Sequence, residues 1–488
     1  MAVRGDADVN ADVNAGADAD VEVLVVGAGP SGLALGIDLV RRGVDVLVVE
    51  RNETLFPGSR GKGIQPRTME IFDDLGVLEA IRAAGGAYPV GMIWKDGRRT
   101  AEHRMFDPAP STEDSAYTEP WMVPQWRTQQ ILLARLEALG GRVAFGREAA
   151  GLAQDEDGVN VRFAGGDGIR ARYVVAADGG RSALRAALGI GMTGETVDPN
   201  PMLVADVRIA GLDRDNWHVF PAGSAGPVGP AGLAGDGEEG FMAICPLAGT
   251  EDFQVMAQFP QGTAVDLSPQ AIRTLVAARS HLAPQQVTEV RWASDFRPRA
   301  ALADRFREGR VFLAGDAAHV HPPAGAQGLN TSVQDAYNLG WKLGAVLRDG
   351  ASAELLDTYE EERRPVAADM LGLSTAIHRG QARRGEATRQ LGIGYRASRL
   401  AAETRPHPGP VRAGDRAPDA TVNGTRLSDA FRGPHWTLLT TSTDAPRPYG
   451  PGVFLIRPDG YVGWAGDNPR GLALYTRELG VRAPRRVG

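Results

Sequence analysis

Three glycines, Gly27, Gly29 and Gly32, follow directly on the apolar run Val21 to Val26. That G-x-G-x-x-G spacing, set between a strand and a helix, is suited to holding a dinucleotide pyrophosphate. Gly27 permits a tight turn, Gly29 lets backbone approach the phosphates, and Gly32 lets the next helix pack closely on the strand. Pro30 and Ser31 stand where that helix begins, and the unpaired N–H groups there favour negative charge. Glu50 closes a second apolar run, Val44 to Val49, placed to accept hydrogen bonds from a ribose. This motif by itself leaves FAD and NAD equally open.

Two further motifs decide between them. Asp178-Gly179-Gly180-Arg181-Ser182, with Arg185 beyond it, follows the strand Tyr173 to Ala177, and Gly315-Asp316-Ala317-Ala318-His319 follows Val311 to Ala314. An aspartate at the carboxyl end of a strand can hold a ribityl hydroxyl, and the adjoining glycine gives the backbone room. Asp178 taken alone is also a good cap for a helix over Ala183 to Leu188. All three motifs in this order point to FAD. No second glycine fingerprint set between a strand and a helix marks a lasting nicotinamide site. His319-x-His321 has no cysteine or carboxylate cluster at ligand spacing beside it, so no metal is expected. The chain has no G-x-S-x-G elbow for a serine hydrolase. Its single cysteine, Cys245, allows no intrachain disulfide and reads as a small buried hydrophobe.

The elements that must position these residues are legible in outline. Val21–Val26, the helical pattern Leu33 to Arg42, the stop at Gly43 and Val44–Val49 form a Rossmann-type opening. Arg127 to Leu139 has helical spacing, and Arg142 to Phe163 alternates like a hairpin. From about Pro201 to Phe296 the pattern is strand-rich, interrupted by the glycine-rich stretch Pro221 to Gly240. A long helical region then runs to about Arg389. Pro406, Pro408 and Pro410 mark a linker, followed by a small appended α/β unit. The expected class is α/β. A discontinuous FAD-binding domain (21–200 and 297–389) holds an inserted mixed-sheet substrate domain (201–296). A linker (390–411) leads to a C-terminal domain (412–488). Residues 1–20, with five aspartates and one arginine, read as a disordered acidic tail.

Composition sets the outer bounds. The chain has 488 residues, 43% hydrophobic and 23% charged, with net charge −7, which offers no case for nucleic acid or an anionic membrane. No run is apolar enough to span a bilayer, and the N-terminus lacks signal-peptide character, so a cytoplasmic protein is expected. Lysine occurs three times, at Lys62, Lys95 and Lys342. The rest of the basic charge is arginine, which needs no functional reading.

GAGPSG, DGGRSALR and GDAAHVHPPAGAQGLNTSVQDAYNLGWKL together resemble the p-hydroxybenzoate-hydroxylase-like flavoprotein monooxygenases. The likeness is nearest to the actinobacterial branch acting on aromatic polyketides and rifampicin, and it extends from Val21 over almost the whole chain. It implies that Ser31, Glu50, Arg51 and Arg60 meet the adenosine and pyrophosphate side of FAD, with Gln125 near the flavin and Arg127 a weaker candidate. It implies that Asp316 holds the ribityl chain or pyrophosphate, and that Gly328, Leu329 and Asn330 bring backbone to the flavin's pyrimidine edge. A helix starting there would aim its positive end at the charge of reduced flavin. Ala326 stands where many relatives have glycine, so a positive φ there would require the loop to adjust. The C-terminal domain resembles a thioredoxin-like fold without Cys-x-x-Cys, incapable of dithiol exchange.

The resemblance further implies hydride transfer from transiently bound NADPH or NADH, and oxygen addition to give a flavin C4a-hydroperoxide. Hydroxylation of an electron-rich aromatic ring follows, inside a pocket kept dry. The middle sheet offers Trp217, Phe220, Phe241, Met242, Phe253, Met256, Trp292 and Phe296 as lining, with Pro322 on the loop opposite. His218, Gln254 and Arg297 are candidates to orient or deprotonate a phenol, and no catalytic base stands out. The expected partners are an aromatic small molecule and O2, in a monomer or homodimer. Baeyer–Villiger insertion, antibiotic inactivation and non-catalytic ligand binding are the alternatives on this scaffold. The Trp121 to Trp126 segment lacks the Trp-x-Trp-x-Ile-Pro signature of a halogenase.

Overall fold

Val21–Val26 is buried along nearly its whole length because it lies at the centre of a parallel sheet. It pairs in parallel with Gly168–Ala176 on one side and Val46–Val49 on the other. Val311–Leu313 then adds in parallel beyond Gly168–Ala176. Strands sharing one direction end at one edge, so Gly27, Glu50, Asp178 and Gly315 all emerge at the carboxyl side of this sheet. A computed structural model describes residues 20–109, 113–221, 240–422, 424–442, 448–481 and 483–487 of the chain. The acidic segment expected to be disordered lies outside these residues except for Asp20, as does most of the glycine-rich stretch 221–240.

The Pro30–Val40 helix starts on Pro30, whose fixed φ suits the first helical turn, and packs against the Gly328–Gly344 and Gln125–Ala138 helices. Gly36 allows the last of these approaches, since a Cβ there would stand 3.3 Å from the Leu136 side chain.

The second layer is a seven-stranded sheet. Its order is Val287–Phe296, Met202–Ile209, Asp252–Gln258, Met242–Pro246, Asn216–Phe220, Val90–Lys95 and Arg98–His103. The last two strands come from residues 90–103, outside the 201–296 segment expected to form the sheet alone. Alternation splits the sheet into two faces. Leu203, Ala205, Val207, Phe220, Met242, Ile244, Phe253 and Val255 pack with Ile272 and Val276 of the Pro269–Arg279 helix. Met202, Trp217, Val219, Ala243 and Cys245 face the other way and pack with Met122, which pairs with Gly63 beside the dinucleotide-binding layer. The sheet register sets Cys245 opposite Gln254, Gln254 opposite Asp206, and Asp206 opposite Trp292 on this inner face.

The C-terminal part carries a five-stranded sheet in the order Ala402–Glu403, Val462–Gly466, Gly452–Ile456, Thr437–Thr441 and Arg485–Val487. Its first strand falls within the expected 390–411 linker. The prolines at 406, 408 and 410 thus follow an edge strand instead of preceding the whole sheet.

Candidate flavin and substrate site

The glycine turn has two crowded positions and one open one. Gly27 has φ +111°, and a Cβ there would meet the Ala177 carbonyl oxygen at 2.3 Å. A Cβ on Gly32 would meet the Gly27 carbonyl oxygen at 1.9 Å, whereas one on Gly29 would find nothing within 4 Å. Gly27 and Gly32 are required by the chain itself, and Gly29 faces space a ligand can fill. Glu50 accepts a 3.0 Å hydrogen bond from Ala28 N and a 3.1 Å bond from Asn52 N, fixing its carboxylate beside the turn. Ser31 is buried beneath the same turn, with its Oγ against Gly315.

Arg51, Arg60 and Arg181 are exposed and close enough together for the charges of Arg51 and Arg181 to act on Arg60. Burial, then these like charges, lower the Arg60 pKa against the opposing pull of Asp316. Asp316 is exposed at the end of its strand. Asp178 uses one oxygen to accept from Ala183 N at 2.9 Å, the capping role its position suggested. Its other oxygen, Oδ1, is buried without a partner among the described residues, and burial raises its pKa. Arg185 ties the two aspartate loops together, donating to Ala317 O at 2.9 Å and Gly180 O at 3.0 Å.

The Gly328–Gly344 helix begins without a side-chain cap, and its first amide in the intrahelical ladder is Thr331 N, donating to Gln327 O at 2.9 Å. The N–H groups of Gly328, Leu329 and Asn330 precede that bond and are suited to an anionic ring edge. Asn330 uses its side chain to hold the loop in place. It accepts from Gln65 N at 2.8 Å and donates to Gly63 O at 2.9 Å and Ala326 O at 2.7 Å. Ala326 does adopt positive φ, +54°, so the loop keeps the left-handed turn despite the alanine. Gln125 accepts from Gly61 N at 2.9 Å and so braces the Arg60–Lys62 loop. An FAD fits this set: an open cradle at Gly29, unpaired arginines, an orphaned Asp178 oxygen and an uncapped helix start.

His319 and His321 are joined at 3.1 Å, and His319 Nε2 meets Asp335 at 2.5 Å. Arg363 donates to the other Asp335 oxygen at 2.8 Å, so the pair belongs to a buried hydrogen-bonded chain. Burial and the His319 charge keep His321 neutral near pH 7 by lowering its pKa well below the usual value.

The proposed substrate residues divide by sheet face. His218, Phe220 and Met242 stand on the face covered by the Pro269–Arg279 helix, away from the dinucleotide-binding layer, which corrects their expected placement. Strand alternation is the reason: these positions are out of phase with Trp217 and Cys245. His218 is also fully used, accepting from Trp94 Nε1 at 3.0 Å and meeting Asp213 O at 3.0 Å. Phe253 likewise faces the helix. Trp217, Phe241, Met256 and Phe296 share the inner cluster. Gln254 is on this face, bonded through its amide nitrogen to the Ser59 carbonyl and through its oxygen to Lys62 Nζ. Trp292 stacks edge-on against Phe56 at 5.2 Å, directly over Gly58. Pro322 is buried in the loop before Gly328, and Arg297 is exposed at the end of its strand.

Several site residues escaped the sequence reading. Lys62 is buried, with its ammonium 4.5 Å from the Trp217 ring centroid. Asp206 is buried with both oxygens unpartnered among the described residues, and burial pushes it up to about 6. Burial also pushes the Cys245 thiol up to about 11, which makes it unreactive. Lys62 carried one signal, a rare lysine between two glycines; Asp206 carried none beyond its place in an apolar strand.

The family described as an FAD binding domain matches residues 20–374. A flavin-dependent monooxygenase of Mycobacteroides abscessus is 44% identical over 481 residues, covering 93% of this chain and 98% of that protein. A rifampicin monooxygenase of Rhodococcus hoagii is 32% identical over 494 residues, covering 91% and 95%. Among solved structures, aklavinone-11 hydroxylase in ternary complex with FAD and aklavinone matches with TM-score 0.79 and 28% identity. That match covers 95% of this chain and 99% of the other.

Proposed function

The chain belongs to the FAD-binding-domain family of flavin-dependent monooxygenases and hydroxylases, and from that membership we propose that it hydroxylates a polycyclic aromatic compound of the polyketide kind, using NAD(P)H and O2. The observation that carries this reading is the inner sheet face. Trp217, Met202, Phe241, Cys245 and Phe296 form one apolar surface with Met122, beside the loop that precedes the Gly328–Gly344 helix. Such a surface suits a flat ring system and excludes water from it. Bound FAD, reduced by a transient nicotinamide, would supply the activation of oxygen. The chain supplies the rest: Gly29, Arg51 and Arg60 to seat the pyrophosphate, the amides of Gly328 to Asn330 to hold negative charge, and Gln254 to fix the loop over the sheet.

The C-terminal sheet, lacking any cysteine, we read as a thioredoxin-like unit that braces the catalytic part. We further propose a cytoplasmic monomer or homodimer; among the described residues no helix is long and apolar enough to cross a membrane. The test is NADPH oxidation by the FAD-loaded protein with and without polycyclic phenols, with product mass read alongside. Phenol-stimulated oxidation and a product one oxygen atom heavier are expected. Oxidation indifferent to phenol, with only peroxide formed, would sink the hydroxylase reading. Fragmentation of the product separates ring hydroxylation from oxygen insertion.

A further inference from the structure

Five side chains from five separate segments enclose the inner end of the sheet. Trp217 stacks over Tyr88 with centroids 6.4 Å apart, and Tyr88 meets Phe106 edge-on at 4.9 Å. The Arg384 guanidinium lies 6.0 Å over the Phe106 ring, and Lys62 Nζ lies 4.5 Å over Trp217. The result is a bowl of three rings with a cation at either end. It adjoins the Gly328–Gly344 helix, because the Tyr88 hydroxyl abuts Gly63, whose carbonyl accepts from Asn330.

Neither cation has an ion-pair partner among the described residues. Lys62 donates to the Gln254 oxygen, a neutral group. The charge of Asp206 reaches Lys62, but no ion pair joins the two among the described residues. Arg384 has Phe106 and the neutral Tyr88 phenol as its neighbours. Burial lowers the pKa of both cations, and the Arg384 charge lowers that of Lys62 further. The indole Nε1 of Trp217 is a further buried donor without a partner among the described residues. A buried cation, Lys62, a half-buried one, Arg384, and an unpartnered indole donor amid aromatic rings are costly to hold unless a ligand satisfies them. Rings recognise a flat aromatic body, and cations not closed into a salt bridge recognise an oxygen anion.

We propose that the substrate binds as an anion, an aromatic compound carrying an ionised phenolic, enolic or carboxylic oxygen held between Lys62 and Arg384. This rests on the aromatic-substrate reading above and adds its charge. The oxidised holoenzyme is titrated near neutral pH with rhein, a dihydroxyanthraquinone carboxylic acid, and with rhein methyl ester, following the flavin absorbance. No reductant is present, so binding is read apart from turnover. Rhein is expected to bind at least about tenfold more tightly than its ester. Lys62→Met and Arg384→Met should each bring that ratio towards unity with FAD content unchanged, and Arg384→Lys should keep most of it. The comparison of the two probes on the unaltered protein stands even where a variant loses FAD. Equal affinities, no binding of either probe, or a ratio surviving both methionine substitutions would overturn the proposal. A charge preference without any oxygenated product in turnover would remove the hydroxylase reading and leave this one. Oxygenated product from both probes at equal affinity would do the reverse.

Discussion

Two glycines two residues apart should fail differently. At Gly27 a side chain collides with the Ala177 carbonyl and φ is +111°, so Gly27→Ala costs the folded chain roughly 2–4 kcal/mol before any ligand enters. At Gly29 nothing lies within 4 Å, so Gly29→Val should leave the melting temperature of the FAD-free protein nearly unchanged. It should weaken FAD by on the order of tenfold or more, read by fluorescence titration. Ala326, at φ +54°, bears a left-handed conformation that glycine adopts freely. Ala326→Gly should therefore gain about 0.5–1 kcal/mol in denaturant unfolding, after the loss in chain entropy is subtracted. Asp206 gives a pH signature. Its carboxyl is raised to about 6 when folded, so the folded state binds the proton more tightly than the unfolded chain does. Stability from this group is greatest below its unfolded pKa, near 4, and is lost as pH rises to about 6. Asp206→Asn should flatten that decline and stabilise the protein at neutral pH by about 1–3 kcal/mol, measured by urea unfolding across that range.

At the scale of elements, strand register decides which aromatic residues turn to the inner face of the sheet. Phe220 and Trp217 are three positions apart on the same strand and face opposite ways, as alternation requires. Phe220→Ala should cost about 3 kcal/mol of stability from the cavity under the Pro269–Arg279 helix, with the ratio of product to NADPH consumed unchanged. Trp217→Ala should lower that ratio by opening the inner face to water, with peroxide rising in step. Composition alone marked both as lining, since both are large and apolar in one strand-rich block. The phase of each strand was not legible because the middle block has apolar residues on both faces, so no clean polar alternation marks the outer side. The strands Val90–Lys95 and Arg98–His103 were missed for a related reason. They are distant in sequence from the sheet they join, and Arg98–His103 is a largely exposed edge strand of polar residues.

The whole molecule is held together by a charged cluster at its centre. Arg457 and Asp459, from the turn after Gly452–Ile456, insert against Glu362, with Lys342 2.8 Å from the same carboxylate. All four side chains are buried. Burial pushes Glu362 up, but Arg457 and Lys342 outweigh it and keep the carboxyl ionised. Because Lys342 lies on the Gly328–Gly344 helix, which packs on Pro30–Val40 of the dinucleotide-binding layer, the C-terminal sheet and the FAD-binding part should unfold together in one calorimetric transition. Arg457→Met leaves buried Asp459 without its cation and Glu362 with Lys342 alone, and should cost about 3–5 kcal/mol, splitting that transition or lowering it as a whole. The sequence by itself determined the glycine turn, the two aspartate loops and the helix start, and with them the flavin. Each is a local motif whose backbone conformation is dictated within a few residues, so its meaning survives without the fold. Tertiary structure alone decided which sheet face turns towards the dinucleotide-binding layer, the placing of Lys62 on Trp217 and of Arg384 on Phe106, and the clamp of Arg457 on Glu362. Burial and the partners within hydrogen-bonding reach fix those roles, and both are properties of packing between segments that the order of residues does not display.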